Sequence, residues 1–155
     1  MASYFIYDSI NQYRSDNTVS EGTSNGTIFS PGTAITDHER SSDQNIGTII
    51  SAVANNDGIQ YAVGSSVTAD AAAVYFTGDD NISSRTSANF HISDNTTIGA
   101  SKGTISAVSG AGWVVADLTE TTGTKFYTIF AGAVTNVSEI LIGKKLSFEV
   151  EPDVN

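Results

Sequence analysis

The strongest constraint on the fold is a series of short segments rich in β-branched and aromatic residues, each bounded by Gly, Asn, Asp or Ser. Residues 145–150, the last segment, alternate with a period of two: Leu146, Phe148 and Val150 face one side, and polar or acidic residues face the other. This alternation is typical of a half-buried β-strand.

The segments recur at spacings of roughly a dozen residues, which is the pattern of a sandwich rather than of alternating strands and helices. The predicted strands are 47–53, 59–63, 74–76, 90–92, 103–108, 112–118, 125–130, 138–143 and 145–150. The chain has no Cys, so its stability depends on packing and strand pairing. We therefore predict an all-β fold, an antiparallel β-sandwich or jelly roll of about eight strands.

The 155 residues suit one domain with one core. Residues 9–155 are predicted to form a single β-sandwich domain, in which 9–45 is loop-rich because turn-forming residues crowd together there. Residues 1–8 are predicted to form an apolar N-terminal strand or docking arm. Its apolar side chains, expected to dock on a neighbouring subunit, are Tyr4, Phe5, Ile6 and Tyr7.

Charge restricts the partners that this chain can bind. Seven basic residues against seventeen acidic ones give a formal net charge of −10, which repels phosphate backbones and anionic lipid surfaces. We expect no nucleic acid and no membrane partner. The N-terminal residues include no basic and apolar run typical of a signal peptide, so synthesis in the cytoplasm is expected.

No set of residues predicts catalysis or a metal centre. His38 has acidic neighbours that suit a general base, but no Gly-x-Ser-x-Gly turn or Cys supplies a nucleophile, and a solvated loop is favoured. His91 alternates with apolar neighbours and is expected at the surface or an interface. We predict no enzyme activity and no cofactor.

Asp79, Asp80 and Asn81 form the one loop that suits a glycan or an ion. Their oxygens could bind Ca²⁺ together with loop carbonyls, but no full calcium-loop pattern follows, so a solvated turn is the favoured interpretation. Trp113, the single Trp, lies within a predicted strand. It is interpreted with the other aromatics as a core or sheet-face residue.

Four stretches carry a resemblance to a known family. They are Ile46 to Ile50, Gly58 to Ser65, Ala73 to Asp80, and Val137 to Gly143 with Leu146 to Glu149. In order and pattern they resemble the galactose-binding-domain-like (discoidin, or F5/8 type C-like) β-sandwich, in the divergent form found in tailed-phage structural proteins. The sequence departs from sugar-binding members because no loop cluster of Arg, Trp and acidic residues is present.

The resemblance implies a non-enzymatic structural protein of a tailed-phage virion, a capsid decoration or cement protein or a tail appendage component. Its expected location is the virion, and its expected partners are other virion proteins and further copies of itself, through protein–protein contacts. The alternative is a carbohydrate-binding module for a host-surface glycan, which would stack a sugar on an exposed aromatic ring and hydrogen-bond it from loop Asp and Asn.

Overall fold

The computed structural model describes residues 3–8, 58–76, 87–94, 98–106, 112–131 and 137–148. These residues form six strands. Their bounds are β1 Ser3–Asp8, β2 Gly58–Phe76, β3 Ala88–Ser93, β4 Gly103–Ile105, β5 Gly112–Phe130 and β6 Val137–Phe148. Within the described ranges no helix is long and apolar enough to cross a membrane.

All described strand pairs are antiparallel, and the strand order is β1-β6-β2-β5-β3-β4. The prediction of an all-β antiparallel fold is confirmed. Strands that are distant in sequence pair with each other. For example, β1 pairs with β6 from Ser3 with Phe148 to Asp8 with Gly143.

Two strands are much longer than the sequence predicts. The separate predicted strands 59–63 and 74–76 are one 19-residue strand, β2, and the separate strands 112–118 and 125–130 are one 19-residue strand, β5. The strands predicted at 138–143 and 145–150 likewise join in β6. Some polar residues between the predicted strands pair in the β2–β5 ladder, as Thr68 does with Thr122, whereas Gly64, Ser65 and Ser66 lie at the register shift between Ala62 and Val67.

Register shifts interrupt the β2–β5 ladder between Ala62 and Val67 and between Ala69 and Ala71. Such irregularities bend and twist a strand pair locally. On one side of the shifts β5 also pairs with β3, and on the other side β2 also pairs with β6. The shifts therefore divide the sheet into two halves, joined by the two long strands.

Both halves contribute inward side chains to one continuous core. From the half that contains β3 come Ile59, Tyr61, Phe90, Ile92, Phe126 and Phe130, and from the half that contains β6 come Ala72, Val74, Phe76, Ala116, Ile140 and Ile142. All of these are 4% exposed or less. Burying large apolar side chains of this kind stabilises a fold by about 1.5–3 kcal/mol each.

Several sequence predictions lie outside the described residues. These are the strand at 47–53, the loop-rich segment 9–45, His38, and the loop residues Asp79, Asp80 and Asn81. They stay predictions.

Candidate functional site

An aromatic pair with one exposed ring marks one face of the sheet. The rings of Tyr75 and Trp113 lie opposite each other on β2 and β5, with centroids 5.2 Å apart and planes tilted by 60°. Trp113 is 37% exposed, which is high for the largest apolar side chain. Gly112 precedes it at φ 124°, a backbone conformation that side-chain-bearing residues rarely adopt, so Gly at this position suits the start of β5.

This face continues along β5 at alternate residues. Trp113, Val115 and Asp117 point outward, whereas Val114 and Ala116 contact the core. Their register partners on β2 are one aromatic and two small residues, and β2 is paired in turn with β6. We name this surface the Trp113 face; its members are Trp113, Val115, Asp117, Ala71, Ala73, Tyr75, Glu139, Leu141, Gly143 and Lys145.

The middle of the Trp113 face is closely packed. Ala71 and Ala73 are 0% and 2% exposed, and the Glu139 side chain, level with Tyr75 and Trp113, is also fully buried. Val115, in contrast, is 44% exposed. A molecule that approaches this face would therefore meet the Trp113 ring and the Val115 side chain rather than the small residues or the buried carboxylate.

An ion pair closes the other end of the Trp113 face. The Lys145 ammonium donates to Asp117 Oδ1, across β2 from β6 to β5. Both side chains remain partly in water, since Asp117 is 77% exposed and Lys145 28% exposed. The pair offers donors and acceptors to a polar ligand, and its two charges cancel.

A second lysine contacts two carboxylates on the opposite side of the strands. The Lys144 ammonium contacts Glu120 and lies 3.0 Å from Asp70 Oδ2. Hydrogen bonds to Glu120 and then to Asp70 raise the pKa of Lys144. Partial burial alone would raise the pKa of Asp70, but hydrogen bonds from the Lys145 amide and the Lys144 ammonium outweigh it, so that pKa is lowered.

A second polar row crosses the half of the sheet that contains β3. Gln60, Tyr127 and His91 are register partners on β2, β5 and β3. Gln60 and Tyr127 are buried, burial raises the pKa of Tyr127, and His91 Nδ1 lies 2.8 Å from the Gly99 carbonyl oxygen. Gln60 and Tyr127 are therefore not accessible to a ligand, whereas His91 is half-buried. In the described part of the chain, no cluster of His, Asp and Glu could hold a metal ion.

The predicted docking residues occupy a strand of the sheet. Residues 3–8 form β1, which pairs with β6 of the same chain, and only the backbone of Tyr4 and Phe5 is described. Ile6 is half-buried and Tyr7 is 51% exposed. The prediction of a strand here agrees with β1, and docking of this strand on a neighbouring subunit stays a prediction.

Sequence analysis did not identify the Trp113 face as a site. The signal was weak because residues 113–118 are apolar on both sides of the strand apart from Asp117, so period-two alternation could not separate the inward from the outward face. The cross-strand partner Tyr75 lies 38 positions away along the chain, and the pairing with Lys145 depends on β6.

No family model and no curated protein matches the sequence. Solved structures do match. A Streptococcus pneumoniae fucose binding module is 14% identical, with a TM-score of 0.54 over 89% of this chain and 95% of that chain. The family 32 carbohydrate-binding module of C. perfringens NanJ, solved in complex with galactose, is 13% identical, with a TM-score of 0.52 over 85% and 95% of the two chains.

The chain has the galactose-binding-like β-sandwich fold. The predicted resemblance is thus confirmed for the fold, and its tailed-phage form stays a prediction. The crystal structure of SpGH29 matches over 90% of this chain, with 11% identity and a TM-score of 0.55, but this chain spans only 28% of SpGH29.

Proposed function

We propose that this protein is a non-catalytic carbohydrate-binding module that holds a glycan on its Trp113 face. The observation that carries the proposal is an exposed indole, tilted against Tyr75, on a fold whose similar structures include modules for fucose and galactose. These structures support the alternative predicted from the sequence better than the virion role.

The chemistry of the Trp113 face suits a sugar. One side of a pyranose ring presents C–H groups, which pack favourably on an aromatic ring, while its hydroxyl groups need hydrogen-bond partners. Trp113 and Val115 supply the apolar contact for one sugar, and the Asp117–Lys145 pair, further along the same face, supplies acceptors and donors for hydroxyl groups of the same glycan. Binding by this face needs no nucleophile and no metal.

Trp113 is the single Trp, so its fluorescence reports directly on this face. The purified protein would first be screened on a broad glycan array, and each retained glycan would be titrated while Trp fluorescence is recorded. We expect saturable binding with a change in Trp emission. Retention of no glycan would contradict the proposal.

A matched pair of variants tests the position of the site. Trp113→Ala should weaken glycan binding at least about tenfold, the effect of losing one good stacking contact. Tyr7→Ala removes an aromatic ring that is more exposed than Trp113, from β1 on the opposite side of the strands, and should leave the affinity unchanged. Equal affinities of the wild-type protein and Trp113→Ala would place the glycan elsewhere.

A second candidate function is a structural role in a virion through protein–protein contacts. The observation that favours it is the position of β1 at one end of the described strand order, with Tyr7 51% and Leu146 40% exposed beside it. A strand in that position can pair with another chain. Light scattering at several concentrations tests self-association, and rebinding to phage particles that lack the protein tests a virion role.

A further inference from the structure

We infer that the Trp113 face binds an uncharged oligosaccharide laid along β5, with the first sugar on Trp113 and a later sugar at the Asp117–Lys145 pair. This inference rests on the proposed function and adds the length and the charge of the ligand. It assigns the Asp117–Lys145 pair as a second subsite that decides specificity.

The length follows from strand geometry. Trp113, Val115 and Asp117 are alternate residues on one face of β5, and a strand rises roughly 3.3 Å per residue. The distance from the indole to the Asp117 side chain is therefore about 13 Å. That span exceeds one pyranose ring, so a single sugar on Trp113 cannot reach the ion pair and a chain of sugars can.

Exposure along the face agrees with a continuous contact. Trp113, Val115 and Asp117 are each more than a third exposed, so all three can touch the same extended ligand. Ala71 and Ala73, beside them on β2, are buried. The exposed side chains therefore form a row along β5, which suits an extended chain better than a single terminal sugar enclosed in a pocket.

An uncharged ligand is expected because the Lys145 ammonium on this face is paired with Asp117. The Lys145 ammonium is already bound to Asp117, so the second subsite carries no net charge. A uronate or a sulfated sugar would need to displace Asp117, and the chain as a whole carries a charge of −10 that repels anions. Hydroxyl groups can instead donate to Asp117 and accept from Lys145 without breaking the pair.

The test uses titrations, followed by Trp fluorescence and calorimetry, with mono-, di- and trisaccharides of the galactose, glucose and mannose series. Trigalacturonic acid serves as the charged counterpart. For at least one neutral series, we expect the affinity to rise at least about fivefold from one sugar to three, the effect of roughly one added contact. Binding should change little between low and high salt, because the ligand is uncharged.

Two variants test the second subsite. Asp117→Asn and Lys145→Met should each lower the affinity for the trisaccharide several-fold, and should lower the affinity for the monosaccharide by a smaller factor. Glu120→Gln is the matched control, since it breaks an exposed ion pair with Lys144 on the other side of β5. The control should change neither affinity.

Three outcomes would overturn this inference: equal affinity for one and three sugars, tighter binding of trigalacturonic acid, or binding to none of the neutral series. The first two leave the proposed carbohydrate-binding function intact, and so does the third if the array retains another glycan. Only the absence of any retained glycan removes both.

Discussion

The backbone N–H of Lys145 donates a 2.6 Å hydrogen bond to Asp70 Oδ1, and so fastens β6 to the irregular part of β2. The same carboxylate lies 3.0 Å from the Lys144 ammonium. Asp70 is only 24% exposed, so these contacts stabilise its charged form more than water alone would. Lys144 and Lys145 therefore both contact the Asp70 carboxylate, Lys144 through its side-chain ammonium and Lys145 through its backbone N–H.

Replacing Asp70 should make the free energy of unfolding vary less with pH in the acid range. The folded protein lowers the pKa of Asp70 below its ordinary value of 3.8, so the charged group adds stability above about pH 4 and loses it as pH falls further. Asp70→Asn keeps an acceptor for the Lys145 amide but loses the charge. At neutral pH we expect a loss of about 1 kcal/mol, which shrinks in acid.

Urea unfolding of the wild-type protein and Asp70→Asn at several pH values measures this effect. Glu120→Gln is the control at neutral pH, because its side chain is 62% exposed and its ion pair should contribute less than about 0.5 kcal/mol. A stability difference between the wild-type protein and Asp70→Asn that stays constant into acid would contradict the prediction.

Removing a buried hydroxyl should stabilise the protein. Thr128 is 1% exposed between Ile59 and Phe90, and its Oγ1 has no hydrogen-bond partner among the described residues. Thr128→Val removes the cost of desolvating that hydroxyl, and we expect a gain of about 1 kcal/mol in the free energy of unfolding. Thr119→Val, at an exposed position of the same strand, should stay within about 0.5 kcal/mol. Thermal and chemical unfolding would show a loss instead if the hydroxyl were hydrogen-bonded.

A side chain at Gly103 should disturb the contact between β4 and β5. A Cβ there would lie 2.5 Å from the Asp117 carbonyl oxygen and 2.5 Å from Leu118 Cδ2. Because a backbone atom is involved, we expect Gly103→Ala to cost about 1–3 kcal/mol. Gly99→Ala meets nothing within 4 Å and is the control. Equal unfolding midpoints for the two variants would show that β4 adapts without cost.

Stability measurements should distinguish an aromatic residue that serves the core from one that serves binding, because the two substitutions should lower the free energy of unfolding by different amounts. Phe126 is fully buried, and Phe126→Ala should cost about 3–5 kcal/mol. Trp113→Ala removes an exposed ring and should cost no more than about 1 kcal/mol. Circular dichroism is the suitable signal, since Trp113→Ala removes the only Trp. A large loss of stability in Trp113→Ala would mean that its ring serves the fold.

Much of the fold could be predicted because strand-forming segments differ locally from turn-forming ones. The segment around Phe90 was placed correctly within β3, and the predicted strand 145–150 lies in β6 as far as Phe148, the last described residue. The joining of 59–63 with 74–76 was missed. A run such as Gly64-Ser65-Ser66 favours a turn locally, yet it lies within β2 at a register shift, with ladder pairs to β5 on both sides of it.

The fold class, the apolar segments of the core and the excess of negative charge follow from residue type and from spacing along the chain. Which aromatic ring faces water and which lysine meets which carboxylate depends on how the strands pair. Trp113 and Tyr75, like Lys145 and Asp117, are distant in sequence and become neighbours through the register of β2, β5 and β6. Register is a property of paired strands, so one strand's pattern cannot specify it.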